Sequence, residues 1–427
     1  MIFGFTKVGG LGEVSIMWVA ESSDCMDSKI PPKTGDRGMT KRSFFSTILM
    51  LGCALLVKAA WAQDGTFKVG LILPMSGPFA ATGKQLESAA RLYVAQHGDT
   101  VAGQKVVLIV KDDGGSPEVT KRIAQELVIN NKVQVLAGFG LTPLAMATAP
   151  VATQSKTPMV VMAAATSTVT EASPYIVRTS FTVPQVVVTL ADWASKNNIK
   201  KVVSLVTDYA PGIDSEKYFN QRFIANGGQV IETLRVPLRN PDFAPFLQRV
   251  RDAKPDALFT FVPAGVGTAL MKQFTERGLD KAGIRLIAEG SVTDDDILNS
   301  MGDVAVGVVT THHYSASHKS AANKKFVEAF GKANQGARPN FMAVGAYDGM
   351  RVIYEAAKAS KGQGGDVLLS HMKGQIFESP RGQIYIDAQT RDVVQNIYIR
   401  RVERVGDQLW NQEIETVSDV KDIGKTR

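Results

Sequence analysis

The segment FKVGLILPM (residues 67–75) is an apolar, β-branched run, and the helix-like residues 83–96 follow it. The same pair of features recurs in KVVLIVKDD (105–113) before residues 117–130, and in VQVLAGFG (133–140) before residues 143–154. This alternation is typical of βαβ units, in which a parallel sheet carries helices on both faces.

The alternation then starts again. The later apolar runs are PMVVMAA (158–164), KKVVSLVTD (200–208), QVIETLRVPL (229–238), DALFTFV (256–262), IRLIAEG (284–290) and GVVTTHHY (307–314). The helix-like segments between or after them are residues 186–198, 215–226, 243–253, 265–277 and 294–301. Two doubly wound sheets placed side by side fit this length better than one very wide sheet. Near the end, QIYIDAQTRDVVQNIYIRRVE (383–403) predicts a hairpin and a chain that crosses back between the two units.

Residues 39–62 have the pattern of an export signal. Lys41 and Arg42 precede an apolar run at 44–57, and Ala60-Trp61-Ala62 places small residues where a signal peptidase cleaves. The run is shorter than the roughly 20 apolar residues that a membrane span needs. We therefore expect Met39 to be the true start and the mature protein to be periplasmic.

Cysteine usage agrees with export, because Cys25 and Cys53 are the only two and both precede the expected cleavage site. The mature protein then has no thiol for redox chemistry or for binding a soft metal. Leu51-Gly52-Cys53 resembles a lipoprotein cleavage box, which would leave a lipid on Cys53, but its upstream residues fit that box poorly. Cleavage after Ala62 is the preferred interpretation.

The composition is that of an ordinary soluble protein, with 44% hydrophobic and 21% charged residues and a net charge of +7. It contains no dense Lys/Arg run interleaved with aromatic residues, so we expect no nucleic-acid binding. Thr293 followed by Asp294, Asp295 and Asp296 predicts a helix start rather than a metal site, because adjacent carboxylates point in different directions.

Catalytic signatures are absent from the expected mature sequence: it has no GxSxG elbow, no P-loop and no HExxH. HHYSASH (312–318) leaves three interpretations open, namely a metal site, polar residues at a crossover, or ligand contacts. Gly265-Val266-Gly267 is half of a dinucleotide fingerprint, but Leu270 replaces the third glycine. Glycines at such a turn also let an anion approach the free N–H groups of a helix. We expect no enzyme activity, no cofactor and no bound metal.

Four segments together resemble a known family: residues 69–92, 110–128, 133–140, and 158–170 with YIVRTSF (175–181). They are similar to the periplasmic substrate-binding proteins of ABC importers in the leucine/isoleucine/valine-binding class. The resemblance implies the type I periplasmic binding fold, an α/β architecture of two Rossmann-like lobes joined by three crossovers. It predicts a first lobe at 66–183 and 312–378, a second lobe at 184–311 and 379–415, and a tail at 416–427.

The resemblance also implies a ligand site. The α-carboxylate of an amino acid would be held by Thr142 and by the Ala164 and Thr166 element, and Glu289 would hold its ammonium group. These are suitable chemical choices, since hydroxyl and N–H groups donate to carboxylates. On the second lobe the positions that often carry aromatic residues fall near Pro211, with Tyr209 two places earlier, and on Ala264.

Because Pro211 and Ala264 are smaller than aromatic residues, the second-lobe wall would leave more room for a ligand. An aromatic carboxylate is therefore a competing ligand, and Phe79 and Phe139 could stack on its ring. Such a ligand would leave the carboxylate of Glu289 without a cationic partner, which is costly when the group is buried. We therefore expect a branched-chain or related amino acid, with a benzoate-type acid or an amide as the alternative.

The predicted role is that of a monomeric carrier that closes on its solute by a hinge and delivers it to the permease subunits of an ABC importer in the inner membrane. Three other classes stay open: a ligand-sensing module of the same fold, a dinucleotide-dependent oxidoreductase, and a structural interaction protein.

Overall fold

The computed structural model of this protein describes residues 65–425. The expected signal peptide and both cysteines lie outside these residues. Within them the strands form two sheets, one of six and one of nine strands. No helix among the described residues is long and apolar enough to cross a membrane.

The first sheet has the strand order β2-β3-β1-β4-β5-β6, in which only the β2–β3 pair is antiparallel. Its strands are β1 (Thr66–Leu73), β2 (Thr100–Val101), β3 (Gln104–Asp112), β4 (Val135–Gly138), β5 (Met159–Val161) and β6 (Ile176–Arg178). The helices α1 (Ala80–His97), α2 (Pro117–Ile129) and α3 (Thr142–Ser155) connect them. The apolar runs that opened the sequence are therefore the central strands of a buried parallel sheet. We call this sheet with its helices the first lobe.

The second sheet has the order β12-β13-β14-β11-β10-β9-β7-β8, and β15 pairs with β14. Its strands are β7 (Lys201–Thr207), β8 (Gln229–Val236), β9 (Ala257–Phe261), β10 (Arg285–Glu289), β11 (Val309–His312), β12 (Ile376–Ser379), β13 (Gly382–Ile386), β14 (Val393–Val405) and β15 (Gln408–Val420). Its helices are α4 (Val183–Lys196), α5 (Ala210–Ala225), α6 (Ala244–Ala253), α7 (Gly267–Glu276) and α8 (Leu298–Met301). We call this sheet with its helices the second lobe.

Three later helices, α9 (Ala321–Ala333), α10 (Phe341–Ala359) and α11 (Gly365–Met372), return to the first lobe, where α9 and α10 pack against α1. The chain thus crosses between the lobes after β6, after β11 and after α11. The predicted hairpin is present, with β13 antiparallel to β14. The predicted lobe boundaries were wrong in two places: residues 376–378 are strand residues of the second sheet, and β15 continues to Val420, into the expected tail.

The predicted helix at residues 294–301 begins only at Leu298. Asp294 and Asp295 do not cap it but lie buried in the preceding turn, where Asn340 donates to Asp294 (3.0 Å) and Asn411 donates to Asp295 (3.0 Å). Burial raises the pKa of Asp294 well above its usual value. The acidic run therefore joins the turn to α10 and β15 instead of facing solvent at a helix end.

Apolar side chains of the two lobes contact each other. Phe79, Leu141 and Leu144 of the first lobe form a cluster that Tyr209 and Leu238 of the second lobe complete. Because these contacts join the two lobes, the structure is that of a closed form.

Helix α10 lies so close to the end of β5 that one of its glycines has no room for a side chain. A Cβ at Gly345 would lie 2.4 Å from the carbonyl oxygen of Met162. We expect Gly345→Ala to lower the free energy of unfolding by about 2 kcal/mol through overpacking. Gly331 in α9 is the control, since its Cβ would meet only the carbonyl oxygen of Ala337 at 3.7 Å. Gly331→Ala should stabilise the protein by roughly 0.5–1 kcal/mol. Equal urea midpoints for the two variants would contradict this expectation.

Candidate functional site

A cavity lies between the lobes, at the carboxyl ends of strands from both sheets. The space between its lining atoms is about 440 Å3, including the part that is open to solvent. The first lobe and the crossovers contribute Phe79, Thr82, Gly140, Leu141, Thr142, Ala163, Ala164, Ala165, Phe181, Phe341 and Met342. The second lobe contributes Tyr209, Pro211, Phe261, Pro263, Ala264, Glu289 and Ser291. This is where open α/β sheets bind ligands.

Two buried threonine hydroxyls lie on the first-lobe side of the cavity, one in its wall and one behind it. Thr142 is the first residue of α3, and its Oγ1 lies 3.0 Å from Oγ1 of Thr166. The backbone N–H of Thr166 also donates to Thr142 Oγ1, at 3.4 Å. Since helix N-termini and hydroxyl groups both donate to anions, this wall is suited to a carboxylate.

Ala164 has both of its backbone polar groups engaged. Its N–H donates to the carbonyl of Phe139 at 3.1 Å, and its own carbonyl accepts from Nη1 of Arg178 at 3.2 Å. Arg178 is fully buried beneath this loop. The predicted role of Ala164 in binding a ligand thus reduces to shaping the wall, while Thr142 offers the hydroxyl.

Glu289 is the last residue of β10 and is fully buried at the second-lobe wall. Its Oε2 accepts from the N–H of Ser291 at 3.1 Å and from the Ser291 hydroxyl. Its Oε1 has no hydrogen-bond partner among the described residues, and His312 Nδ1 is 3.6 Å away. Burial raises the pKa of Glu289 to about 7, although the hydrogen bonds from Ser291 oppose the shift. Near neutral pH the carboxyl can therefore either donate or accept through Oε1.

The raised pKa of Glu289 makes the stability of the empty protein depend on pH. Between its ordinary value of 4.5 and about 7, the folded protein holds a proton that the unfolded chain has released. The free energy of unfolding should therefore fall as the pH rises through this window, by about 3 kcal/mol. Urea unfolding at pH 5 and pH 8 measures the decrease in the free energy of unfolding. The side chain in Glu289→Gln cannot titrate, so this variant should show a decrease that is smaller by the contribution of Glu289. An equal fall in both proteins would contradict the assignment to Glu289.

Aromatic rings form much of the remaining wall. Phe79, Phe181 and Phe341 line the cavity from the first lobe and the crossovers, and Tyr209 and Phe261 line it from the second lobe. The rings of Tyr209 and Phe261 are 6.1 Å apart. Burial raises the pKa of the Tyr209 phenol, so this group is neutral. The cavity therefore has aromatic side chains on the walls of both lobes.

The histidines of HHYSASH do not converge on one point. His312 and His313 are fully buried at the second crossover, with their Nδ1 atoms 3.2 Å apart, whereas His318 bonds Glu413 at 2.9 Å. Burial lowers the pKa of His312 and of His313 well below the usual value, so both are neutral. Phe181 stacks on His313 and Phe341 contacts His312. Among residues 65–425, no group of three or more His, Cys, Asp or Glu residues could hold a metal.

Six of the eight predicted site residues line the cavity: Phe79, Thr142, Ala164, Tyr209, Ala264 and Glu289. Thr166 lies behind the wall and reaches it through Thr142. Phe139 does not line the cavity, because its backbone has φ 67° and its side chain is fully buried in the first-lobe core.

Sequence reasoning missed Phe181, Phe261, Phe341, Thr82 and Ser291. Phe181 ends the quoted YIVRTSF segment, and Phe261 lies in the quoted DALFTFV segment as the last residue of β9, so a search of residues at and just after strand ends would have found them. Phe341, in contrast, begins a helix that follows the second crossover, and no local pattern places it near the other residues.

Residues 66–407 match the family model described as periplasmic binding protein. The chain belongs to this family. The predicted fold class and the predicted class of protein are thereby confirmed, and the chain is a solute-binding protein of an ABC transporter. The family consists of binding proteins rather than enzymes.

The similar proteins differ in the ligands that are given for them. The Leu/Ile/Val-binding protein homolog 6 of Brucella abortus (strain 2308) is 43% identical over 376 residues, which cover 87% of this chain and 96% of the relative. A solute-binding protein from Rhodopseudomonas palustris BisB5, solved in complex with 3,4-dihydroxybenzoic acid, is 60% identical with a TM-score of 0.84, covering 85% of this chain and 100% of that chain. Another from R. palustris HaA2, in complex with p-hydroxybenzoic acid, is 42% identical with a TM-score of 0.82, covering 84% and 99%.

Proposed function

We propose that the solute is an aromatic carboxylate that carries a hydroxyl group on its ring. The observation that carries this proposal is a cavity with five aromatic rings on its walls, a hydroxyl and a helix N-terminus on the first-lobe side, and Glu289 on the second-lobe side. The two similar proteins solved with hydroxybenzoic acids, at 60% and 42% identity, support it.

In this arrangement the ligand carboxylate binds at Thr142 and the ring lies between Phe79 and the second-lobe aromatics. The ring hydroxyl meets Oε1 of Glu289, the buried atom that has no partner among the described residues. A buried polar group without a partner is unfavourable, and a ligand that supplies one gains that free energy on binding.

A branched-chain amino acid is the second candidate. Glu289 favours it, because a buried carboxylate is a suitable partner for an ammonium group. The printed name of the Brucella relative agrees with this candidate. The two candidates differ in the charge that the ligand brings to Glu289.

Closure of the two lobes on the solute links binding to transport. The first lobe holds the carboxylate, while Tyr209 and Glu289 of the second lobe reach the ligand only when the lobes meet. Such contacts shift the equilibrium toward the closed form, because they exist in that form alone. We propose that the closed monomer acts in the periplasm, after removal of residues 39–62, and delivers its solute to the permease subunits of the inner membrane.

Calorimetric titration of the mature protein with 3,4-dihydroxybenzoate, 4-hydroxybenzoate, benzoate and leucine tests the ligand. We expect both hydroxybenzoates to bind roughly tenfold more tightly than benzoate, because benzoate leaves Glu289 unpaired. Leucine should give no heat. Binding of leucine alone would refute the aromatic ligand and favour the amino acid.

A further inference from the structure

The C-terminal segment Asp422–Lys425 folds back onto the loop that borders the cavity. Oδ2 of Asp422 accepts from the hydroxyl of Ser167 at 2.7 Å, and the buried ammonium of Lys425 donates to Asp392 and to the hydroxyl of Thr170. We call residues 422–425 the C-terminal clasp. We call residues 164–167, which border the cavity, the ligand loop. The C-terminal clasp is far from this loop in sequence but contacts its last residue, Ser167, directly.

Ser167 is held from two sides. Its hydroxyl binds the C-terminal clasp, and its backbone N–H donates to Oδ2 of Asp214 at 2.9 Å. Asp214 belongs to α5 of the second lobe, whereas Ser167 belongs to the first. The bond between Ser167 and Asp214 therefore joins the two lobes.

Burial raises the pKa of Asp214, and Asp422 adds to that shift. The side chain of Asp214 is thus confined between the C-terminal clasp and the ligand loop rather than free in solvent. A Cβ at Gly424 would lie 2.6 Å both from Oγ of Ser167 and from the hydroxyl of Tyr218. The clasp is therefore packed tightly between the loop and α5.

Arg178 is hydrogen-bonded to the same loop from the protein interior. Its guanidinium donates to the carbonyls of Ala164 (3.2 Å), Thr166 (2.7 Å) and Ser167 (3.2 Å). Its Nε donates to Asp392 at 2.6 Å, the carboxylate that also binds Lys425. The C-terminal clasp and the ligand loop are thus connected through one buried carboxylate.

These bonds orient peptide groups at the cavity. In a trans peptide the N–H of one residue points opposite to the carbonyl of the residue before it. Because the carbonyl of Ala164 points to Arg178, the N–H of Ala165 points away from Arg178. Ala165 is one of the residues that line the cavity next to Thr142.

We propose that Asp214 and the C-terminal clasp are positioning elements for ligand binding: they fix the loop Ala164–Ser167 under the ligand carboxylate and add a bond between the lobes that exists only in the closed form. This inference rests on the proposed solute-binding site but holds for either candidate ligand, since both carry a carboxylate. Asp214→Ala removes the bond to the second lobe, and Ser167→Ala removes the hydroxyl contact to the clasp.

The matched controls carry the same substitutions away from the cleft. Asp252→Ala changes an exposed residue of α6 that accepts from Gln248 on the same helix, and Ser195→Ala removes a hydroxyl that donates to the carbonyl of Ala191 within α4. Stopped-flow and calorimetric titrations with 3,4-dihydroxybenzoate and, separately, leucine give the rate constants and Kd, and thermal unfolding gives the midpoint of the empty protein.

For Asp214→Ala we expect an off-rate about tenfold faster, an on-rate within about twofold of the parent, and an unchanged midpoint of the empty protein. Ser167→Ala should raise Kd by about fivefold, and both controls should behave as the parent. A lowered midpoint with an unchanged off-rate would show a merely structural role and overturn the inference. A parent protein that binds neither compound would instead refute the proposed function, whereas binding that no variant alters would refute the inference alone.

Discussion

We expect Arg381→Met to lower the free energy of unfolding by about 3–5 kcal/mol, because it leaves a buried carboxylate unpaired. Arg381 is fully buried, and its guanidinium bonds Oδ2 of Asp348 in α10 at 2.9 Å. It also donates to the carbonyls of Thr179 and Ser180 in the first crossover and to Gln395 of β14. One side chain thus joins a first-lobe helix to a crossover and to a strand of the second sheet.

The control for this prediction is Arg351→Met in α10, the helix of Asp348, where a half-buried guanidinium donates to the carbonyl of Glu378 and lies over the ring of Phe377. Its loss should change the free energy of unfolding by less than about 1 kcal/mol. Replacing Asp348 by Leu together with Arg381→Met should recover part of the loss, since no buried charge is then left alone. Urea unfolding of the four proteins measures these differences, and an equal loss in the two arginine variants would contradict the expectation.

The pKa of Asp348 gives a second check on the same pair. Burial raises it, and the charge of Arg381 opposes that shift. Without Arg381 the pKa should rise further, so the folded variant would hold a proton over a wider range above the ordinary value of 3.8. The stability lost in Arg381→Met should therefore be smaller at pH 5 than at pH 8.

The fold could be predicted from the sequence because its signals are local. Each buried parallel strand is a continuous apolar run, as in FKVGLILPM and VQVLAGFG, and each is followed by a helix-forming segment. The acidic run at Asp294–Asp296 was misinterpreted for the opposite reason. Its partners, Asn340 and Asn411, are distant in sequence, so nothing near it indicates that its carboxyl groups are buried.

The residues of the candidate site that could be predicted are those at or just after the ends of strands. The family resemblance assigned Thr142 and Glu289 to the site, and their positions near the ends of apolar runs agree with it, because the carboxyl ends of parallel strands meet at one edge. Phe139 occupies an equally plausible position, yet its side chain is fully buried in the first-lobe core and its backbone has a positive φ. The sequence specifies neither of these two features.

The preference for an amino-acid ligand rested on the cost of leaving a buried, ionised Glu289 without a cation. The structure weakens that premise, because burial raises the pKa of Glu289 to about 7 and the backbone N–H of Ser291 already donates to Oε2. A carboxyl that holds a proton part of the time needs no cation, and a ring hydroxyl can satisfy its remaining oxygen. The ligand can therefore be aromatic without an unpaired charge in the site.

Glu289→Leu should reverse the order of preference between two ligands that differ by one hydroxyl group. In the proposed complex of the parent protein, the ring hydroxyl of 4-hydroxybenzoate pairs with Oε1 of Glu289, whereas benzoate has no hydroxyl to do so. In the variant the ring hydroxyl has no partner, and its burial should weaken 4-hydroxybenzoate by about 2–3 kcal/mol, on the order of 100-fold in Kd. Benzoate, which needs no partner there, should bind the variant at least as well as it binds the parent. Calorimetric titration of both ligands against both proteins gives the four dissociation constants.

Glu289→Gln separates the two candidate ligands in the same experiment, because it keeps a hydrogen-bonding group and removes the charge. A hydroxybenzoate should bind this variant within about tenfold of the parent, since an amide can still pair with the ring hydroxyl. An amino acid would lose the charged partner of a buried ammonium, which costs about 2–5 kcal/mol or more. Should the Gln variant lose hydroxybenzoate binding as completely as the Leu variant, the ligand must require the negative charge of Glu289 itself. That result would contradict the proposal that a neutral Glu289 carboxyl recognises the ring hydroxyl.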